Sequence, residues 1–184
     1  MNNRNGLQLR TSEMQYNSDN DEMIIEGYFI RFNEPTEIAP GVFEQVLPEA
    51  VDVGISDIRA LWNHDTQYVL GRTKNNTLEL RVDNVGLWGR IILPQTTYAK
   101  DLHALVKRGD VNQCSFGFNI LDEDMEERKD GSVLFSLRKI DLHEISVVTF
   151  PAYPTTSVSA REAEKARMER QKAKLKKILV QRRQ

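Results

Sequence analysis

The sequence predicts a mainly β fold with flanking helices, and three observations support that class. Short apolar segments with strand-like alternation recur along the chain, as in residues 23–32. Turn-forming residues separate such segments, as Asp83-Asn84 does within residues 77–94. Only one segment before the C-terminal tail has a clear helical period. This pattern favours a small closed or nearly closed sheet of antiparallel strands over a doubly wound fold.

Local patterns assign the elements in chain order. Leu78, Leu80 and Val82 alternate with polar residues, which is typical of a strand with one buried face. The assignments are a strand at 23–32, a loop at 33–41, one or two helical turns at 48–54, two strands within 77–94, strands at 114–120 and 133–150, an exposed charged hairpin loop at 122–131, and a Pro-rich break at 151–157.

One helix is predicted from Tyr98 to Arg108. Its apolar residues recur at helical spacing and form one stripe, namely Tyr98, Leu102, Leu105 and Val106. Basic residues in the last turn suit the negative end of the helix dipole, and Gly109 suits the position that follows a helix. His103 is expected to face solvent.

Length and composition predict one domain with a tail, in a soluble cytosolic protein. The chain has 184 residues and one cysteine, Cys114, which excludes an internal disulfide framework and fits a reducing compartment. The N-terminus has no apolar signal segment, and no apolar run is long enough to span a bilayer. We expect a polar N-terminal segment at 1–22, a folded domain at 23–158 and a basic helical tail at 159–184.

Charge divides the chain unequally. The net charge is −2, but residues 161–184 contain ten Lys or Arg and three Glu, so that the tail carries +7 and the rest −9. A basic tail on an acidic body predicts separate roles for the two. The tail could be a solvated helix or could bind nucleic acid phosphates.

Three polar residues lie in unusual surroundings. His64 follows the bulky pair Leu61-Trp62, Ser115 precedes Phe116-Gly117-Phe118, and Glu144 lies within an apolar strand. A serine hydroxyl needs an adjacent base to become a nucleophile, a histidine can take its proton, and an acid behind the histidine fixes the tautomer. Together the three residues suggest a catalytic triad.

Each residue also has a structural interpretation. Taken alone, His64 can be a hydrogen-bonded core histidine, Ser115 a strand residue and Glu144 the partner of a basic side chain. A metal hydrolase built from the three histidines is a further alternative, but the chain lacks a known ligand spacing. Cys114 as a thiol nucleophile is less favoured than Cys114 as an inert core residue.

A family resemblance shifts this balance. The segments ALWNHDTQYVLGRT (60–73), GDVNQCSFGF (109–118) and LHEISVVTFPAYPTTSV (142–158) resemble, in order and spacing, three sequence blocks of the prohead (capsid maturation) serine proteases of tailed bacteriophages. The resemblance covers about residues 24–158. That family is distantly related to the herpesvirus assemblins, so the resemblance implies a herpesvirus-protease-like antiparallel β-barrel with flanking helices.

The resemblance also assigns roles. It implies that Ser115 is the nucleophile, His64 the general base and Glu144 the third member of the triad. His143 is the alternative third member, because a second histidine holds that place in the assemblins. Period 2 puts the two neighbours on opposite faces of a strand, and the Glu-Ile-Ser motif favours Glu144. The implied oxyanion donors are the N–H groups of Ala152 and Tyr153.

The implied activity is that of a procapsid serine endopeptidase. It would cleave scaffold and the scaffolding segment of the major capsid protein, and also itself, inside the procapsid in the host cytoplasm. Self-association is compatible with this role; no cofactor, membrane or nucleic-acid partner is expected. The alternative is a catalytically inert β-barrel that acts as a scaffold or assembly module.

Overall fold

Ten strands and one α-helix build the described part of the chain, which comprises residues 6–13, 23–54 and 57–150 in this computed structural model. The strands are β1 (Gln8–Glu13), β2 (Ile24–Arg31), β3 (Thr36–Ala39), β4 (Val42–Val46), β5 (Arg59–Trp62), β6 (Asp65–Arg72), β7 (Leu78–Val82), β8 (Gly86–Ile92), β9 (Gln113–Glu127) and β10 (Val133–Val148). The helix is α1 (Thr97–Arg108), and two short 3₁₀ turns cover Pro48–Ala50 and Thr73–Asn75.

Two sheets organise these strands. The larger one has the order β1-β9-β10-β4-β3, with β5 and β6 attached through β10, and the smaller one has the order β2-β8-β7. The predicted mainly β class with few helices is therefore confirmed. The prediction of antiparallel strands was wrong for two strand pairs, since β10 runs parallel to both β4 and β5. These pairings do not close into a ring, so the β-barrel stays a prediction.

Strand β9 divides its residues between two faces. Cys114, Phe116 and Phe118 belong to the main apolar cluster, and the rings of the two phenylalanines stack with centroids 5.0 Å apart. Because successive side chains of a strand point to opposite faces, Ser115 and Gly117 face away from that cluster. The same strand thus supplies both the core and a second, polar face.

Helix α1 begins one residue before its predicted start and ends where predicted. Gly109 follows it with φ of 87°, and its N–H donates to the carbonyls of Leu105 and Val106, as expected for a helix that ends in a left-handed glycine. His103 was expected to face solvent, but it is buried, because it lies beside Leu102 on the packed side of the helix. Among the described residues, no helix is long and apolar enough to span a membrane.

The charged segment 122–131 is mostly strand rather than loop. Strand β9 continues to Glu127, and the turn to β10 occupies only residues 128–132. Acidic side chains on the exposed arm are compatible with a strand because they meet Arg138 of β10, as Asp124 does at 3.1 Å. The predicted loop 33–41 likewise contains β3, and the polar segment 1–22 contains β1.

Candidate active site

The three candidate triad residues lie on neighbouring strands. In the order β1-β9-β10-β5, Ser115 lies on β9, Glu144 on β10, and His64 in the turn directly after β5. The Cα partner of Ser115 across the β9–β10 pair is Ser146, and the partner of Glu144 is Gly117. Directly opposed residues of a strand pair project to the same side, so these four residues share one face.

His64 belongs to a two-residue turn that needs unusual backbone angles. Asn63 and His64 have φ of 53° and 60°, and they connect the paired residues Trp62 and Asp65. A two-residue hairpin with both central φ values positive is a type I′ turn, for which Asn is a favoured first residue. Histidine is also one of the residues that tolerate this region. The turn therefore presents the imidazole over the neighbouring strand.

Asn63 attaches this turn to the end of β10. Its backbone N–H donates to the Val147 carbonyl at 2.9 Å. Its side-chain carbonyl accepts from the Thr149 N–H at 2.9 Å, and its amide donates to the Thr149 hydroxyl at 3.3 Å. Three hydrogen bonds from one residue fix the turn that carries His64.

Glu144, and not His143, contacts the imidazole. Nδ1 of His64 lies 2.7 Å from Oε1 of Glu144, and Glu144 is buried. A carboxylate at this distance keeps the proton on Nδ1 and leaves Nε2 as the acceptor nitrogen. The side chain of His143 is 41% exposed, and its Nε2 lies 2.8 Å from the Asn119 amide nitrogen. The register of β10 against β9 shifts between Leu142 and Glu144, at the position of His143.

Ser146 joins the carboxylate to the turn. Its hydroxyl donates to Oε2 of Glu144 at 2.6 Å and accepts from the backbone N–H of His64 at 3.2 Å. Ser146 has no exposed surface. Both oxygens of Glu144 therefore have a hydrogen-bond partner within this group of residues.

Ser115 lies next to this group, with its hydroxyl turned away from His64. The side chain is fully buried, and its hydroxyl donates to the Arg10 carbonyl of β1 at 2.8 Å. Among the described residues, none hydrogen-bonds to Nε2 of His64. The structure thus brings His64 and Glu144 into contact and puts Ser115 on the adjacent strand, without a hydrogen bond between Ser115 and His64.

The structure gives no catalytic role to the other sequence candidates, and two of them lie outside the described residues. Cys114 is buried, and its thiol lies 3.3 Å from the Tyr28 carbonyl. The described residues contain no group of three or more His, Cys, Asp or Glu side chains that could hold a metal ion. The proposed oxyanion donors Ala152 and Tyr153 lie outside the described residues. A groove of about 400 Å³ lies beside Glu144, and its lining also includes Arg59 and Thr66.

Comparison with known proteins identifies the family of the chain. A family model described as the caudovirus prohead serine protease matches residues 7–171. The chain belongs to that family.

Among individual members of the prohead protease family, the prohead protease of Enterobacteria phage HK97 is 28% identical over 163 residues, which cover 85% of this chain and 68% of the relative. The solved structure of the bacteriophage T4 capsid assembly protease has a TM-score of 0.51 and 11% identity, covering 77% of this chain and 96% of that one. The T4 comparison shows a shared fold.

Ser146 and Gly117 are site residues that the sequence analysis did not single out. The signal for Ser146 was available, because residues two apart on a strand share a face and Glu-Ile-Ser puts a hydroxyl beside the candidate acid. No comparable signal existed for the contact between Gly117 and Glu144, which depends on the register of β9 against β10.

Proposed function

We propose that this prohead protease family member is a serine endopeptidase that uses Ser115 as nucleophile, His64 as general base and Glu144 as the acid behind the base. The observation that carries the proposal is the 2.7 Å contact between His64 and the buried Glu144. It leaves Nε2 as the proton acceptor, and the neighbouring strand offers Ser115 on the same face.

The first step of the mechanism is a rotation of the Ser115 side chain. Its hydroxyl now donates to the Arg10 carbonyl, and a change of χ1 to another staggered rotamer redirects it. Directly opposed side chains in an antiparallel pair have Cβ atoms about 4.5–5.5 Å apart. The Cβ atoms of Ser115 and Ser146 are therefore expected at about this distance, and Ser146 accepts a hydrogen bond from the His64 backbone.

Acyl transfer then follows. Ser115 Oγ attacks the scissile carbonyl, His64 Nε2 takes the hydroxyl proton, and Glu144 stabilises the imidazolium. The imidazolium returns the proton to the leaving amine, and water hydrolyses the acyl-enzyme. The oxyanion needs N–H donors, and the Ala152 and Tyr153 backbone groups are our candidates.

The substrates we propose are the scaffold and the scaffolding segment of the major capsid protein, inside the procapsid. The names of the two relatives, a prohead protease and a capsid assembly protease, support this assignment. Cleavage there would remove internal protein and make assembly irreversible. Self-cleavage within the basic tail is part of the same proposal.

A fluorophosphonate probe tests the nucleophile without a known substrate. Attack by Ser115 forms an Oγ–P bond and releases fluoride, while His64 takes the hydroxyl proton. Peptide mapping should find the label on Ser115 in the wild type, and His64→Ala should suppress it. Unlabelled wild-type protein, or a label on another serine, would contradict the proposal.

The second candidate is an inert assembly module. The complete burial of Ser115 and its bond to the Arg10 carbonyl favour this alternative. Mass mapping of the ends of processed capsid protein, with wild type or Ser115→Ala in the assembling particles, separates the two. An inert module predicts identical ends in both, whereas a protease predicts processing only with the wild type.

A further inference from the structure

We infer that Ser146 is a positioning residue of this protease, which acts on the reaction through Glu144 and His64. The inference rests on the proposed function, since it concerns the same triad. Ser146 is fully buried, and its single hydroxyl touches both the carboxylate of the acid and the backbone of the base.

The carboxylate needs a second partner because it is buried. Oε1 of Glu144 lies against His64 Nδ1 at 2.7 Å, and Oε2 accepts from Ser146 at 2.6 Å. A buried carboxylate oxygen without a donor is unfavourable, so the carboxylate would turn or shift to find one. The Ser146 hydroxyl therefore holds the carboxylate plane in the orientation that suits the imidazole.

The turn needs an acceptor for the His64 N–H. His64 has a left-handed backbone with φ of 60°, and its N–H donates to the Ser146 oxygen at 3.2 Å. Such a conformation persists only where surrounding contacts stabilise it. Ser146 thus secures the residue that carries the base as well as the acid that orients it.

A short hydroxyl side chain serves both purposes. Serine donates one proton and accepts through its lone pairs, whereas alanine offers neither and cysteine only weakly. Asn and Gln would also offer both groups, but Ser146 is fully enclosed and faces Ser115 across the strand pair. The surroundings therefore fit a short side chain.

The same contacts argue against Ser146 as the nucleophile. Its proton is directed at Oε2 of Glu144 and not at the imidazole. His64 uses Nδ1 for the carboxylate, so Nε2 is the nitrogen that can take a nucleophile's proton. Ser115 lies on the neighbouring strand, and its hydroxyl donates to a backbone carbonyl of β1.

The test compares Ser146→Ala with the wild type in the full-length chain. We expect fluorophosphonate labelling of Ser115 to slow by roughly ten- to a hundred-fold, the range given by one hydrogen bond to a charged group. With a capsid-protein peptide as substrate, kcat should fall while KM stays near the wild-type value, since Ser146 contacts no substrate. Ser136→Ala is the matched control, because Ser136 lies on the same strand and its hydroxyl accepts from Gln45 at 3.0 Å.

A double-mutant cycle separates positioning from mere stability. If Ser146 acts through the carboxylate, Ser146→Ala should slow labelling by a smaller factor in a Glu144→Gln background than in the wild type. The inference would be overturned if Ser146→Ala slowed fluorophosphonate labelling by the same factor with Glu144 and with Gln at position 144. It would also be overturned if Ser146→Ala were labelled at the wild-type rate.

A signal from the imidazole gives a readout that does not need activity. With three histidines in the chain, ¹⁵N-histidine labelling and the variant His64→Ala assign the Nδ1–H resonance of His64. We expect this proton to exchange faster with water in Ser146→Ala than in Ser136→Ala. Unchanged proton exchange in Ser146→Ala would overturn the role of Ser146. The proposed protease would still be upheld if the fluorophosphonate no longer labelled Ser115→Ala. Full labelling in Ser115→Ala would instead overturn the proposed protease itself.

Discussion

At the scale of single residues, the site depends on a glycine that makes room for the acid. A Cβ atom on Gly117 would collide with Oε1 of Glu144. That oxygen is not free to move, since it is held against His64, and the other carboxylate oxygen is held by Ser146.

Gly117→Ala should therefore lower activity more than stability. The new methyl group displaces the carboxylate from His64, so labelling of Ser115 by a fluorophosphonate should slow by at least tenfold. Gly117 does not have a positive φ, so alanine is compatible with its backbone. Gly54→Ala is the control, because Gly54 is exposed and its Cβ would meet only Asp52. Equal labelling rates for the two variants would refute the displacement.

The two neighbours on β10 should differ sharply when they are replaced. Glu144→Gln removes the charge that stabilises the imidazolium, so kcat should fall by several orders of magnitude, as in other enzymes with an altered third member. His143→Ala should leave kcat within about twofold, since His143 is largely exposed and contacts Asn119. Rates measured on one peptide substrate decide this, and a greater loss in His143→Ala would make His143 the third member.

Local patterns predicted the residue types of the site better than their orientations. The contrast between a polar residue and its apolar neighbours singled out His64, Ser115 and Glu144. The direction of the Ser115 hydroxyl depends on the Arg10 carbonyl, which is more than a hundred positions away in the chain. No pattern within one segment contains that information, because it arises from strand pairing.

At the scale of elements, β1 is a strand formed by a polar segment that local sequence did not predict. The sequence of β1 has no strand-like apolar alternation, so the segment was expected to be a polar extension. Its position comes from pairing with β9 and from Arg10, whose guanidinium donates to both carboxylate oxygens of Glu44 at 2.6 and 3.1 Å. The elements that could be predicted, such as α1 and β7–β8, bring their own periodicity or turn residues.

Arg10→Ala should destabilise the fold clearly. Glu44 is buried, so removing the guanidinium leaves a desolvated carboxylate without this cation, and loss of one partner of a buried pair costs about 3–5 kcal/mol. Urea unfolding monitored by tryptophan fluorescence measures the difference. The control is Arg31→Ala, whose ion pair with the exposed Glu34 spans 3.9 Å and should contribute less than about 1 kcal/mol. Similar losses in both variants would contradict the importance of the Arg10 pair.

At the scale of the whole molecule, one pair of long strands serves both stability and chemistry. Strands β9 and β10 bury apolar residues on one face and carry Ser115 and Glu144 on the other. The hairpin of β5 and β6 brings His64 to this second face, and β5 pairs with β10. The position of His64 therefore depends on the contacts between this hairpin and the segment that precedes it.

Asp57 is such an anchor, and it makes stability depend on pH. It lies just before β5, and both of its carboxylate oxygens accept hydrogen bonds from Arg72 of β6, at 2.8 and 2.6 Å. The Arg72 guanidinium, with Arg59 and Lys74 nearby, lowers the pKa of Asp57 well below its ordinary value. Because the folded-state pKa is the lower one, the unfolded chain binds the proton more tightly. The stabilisation is therefore complete above about pH 4 and is lost as the pH falls further.

Asp57→Asn should lower the urea midpoint of unfolding at pH 7. The gap to the wild type should narrow below about pH 4, because the Asp57 carboxyl of the unfolded wild-type chain then binds a proton and the unfolded state gains stability relative to the folded one. Arg72→Met should show the same convergence, because it removes the principal cause of the pKa shift. Unfolding curves of the three proteins between pH 7 and pH 3 provide the measurement. A gap that stays constant over this range would mean that the charge of Asp57 does not secure the hairpin that carries His64.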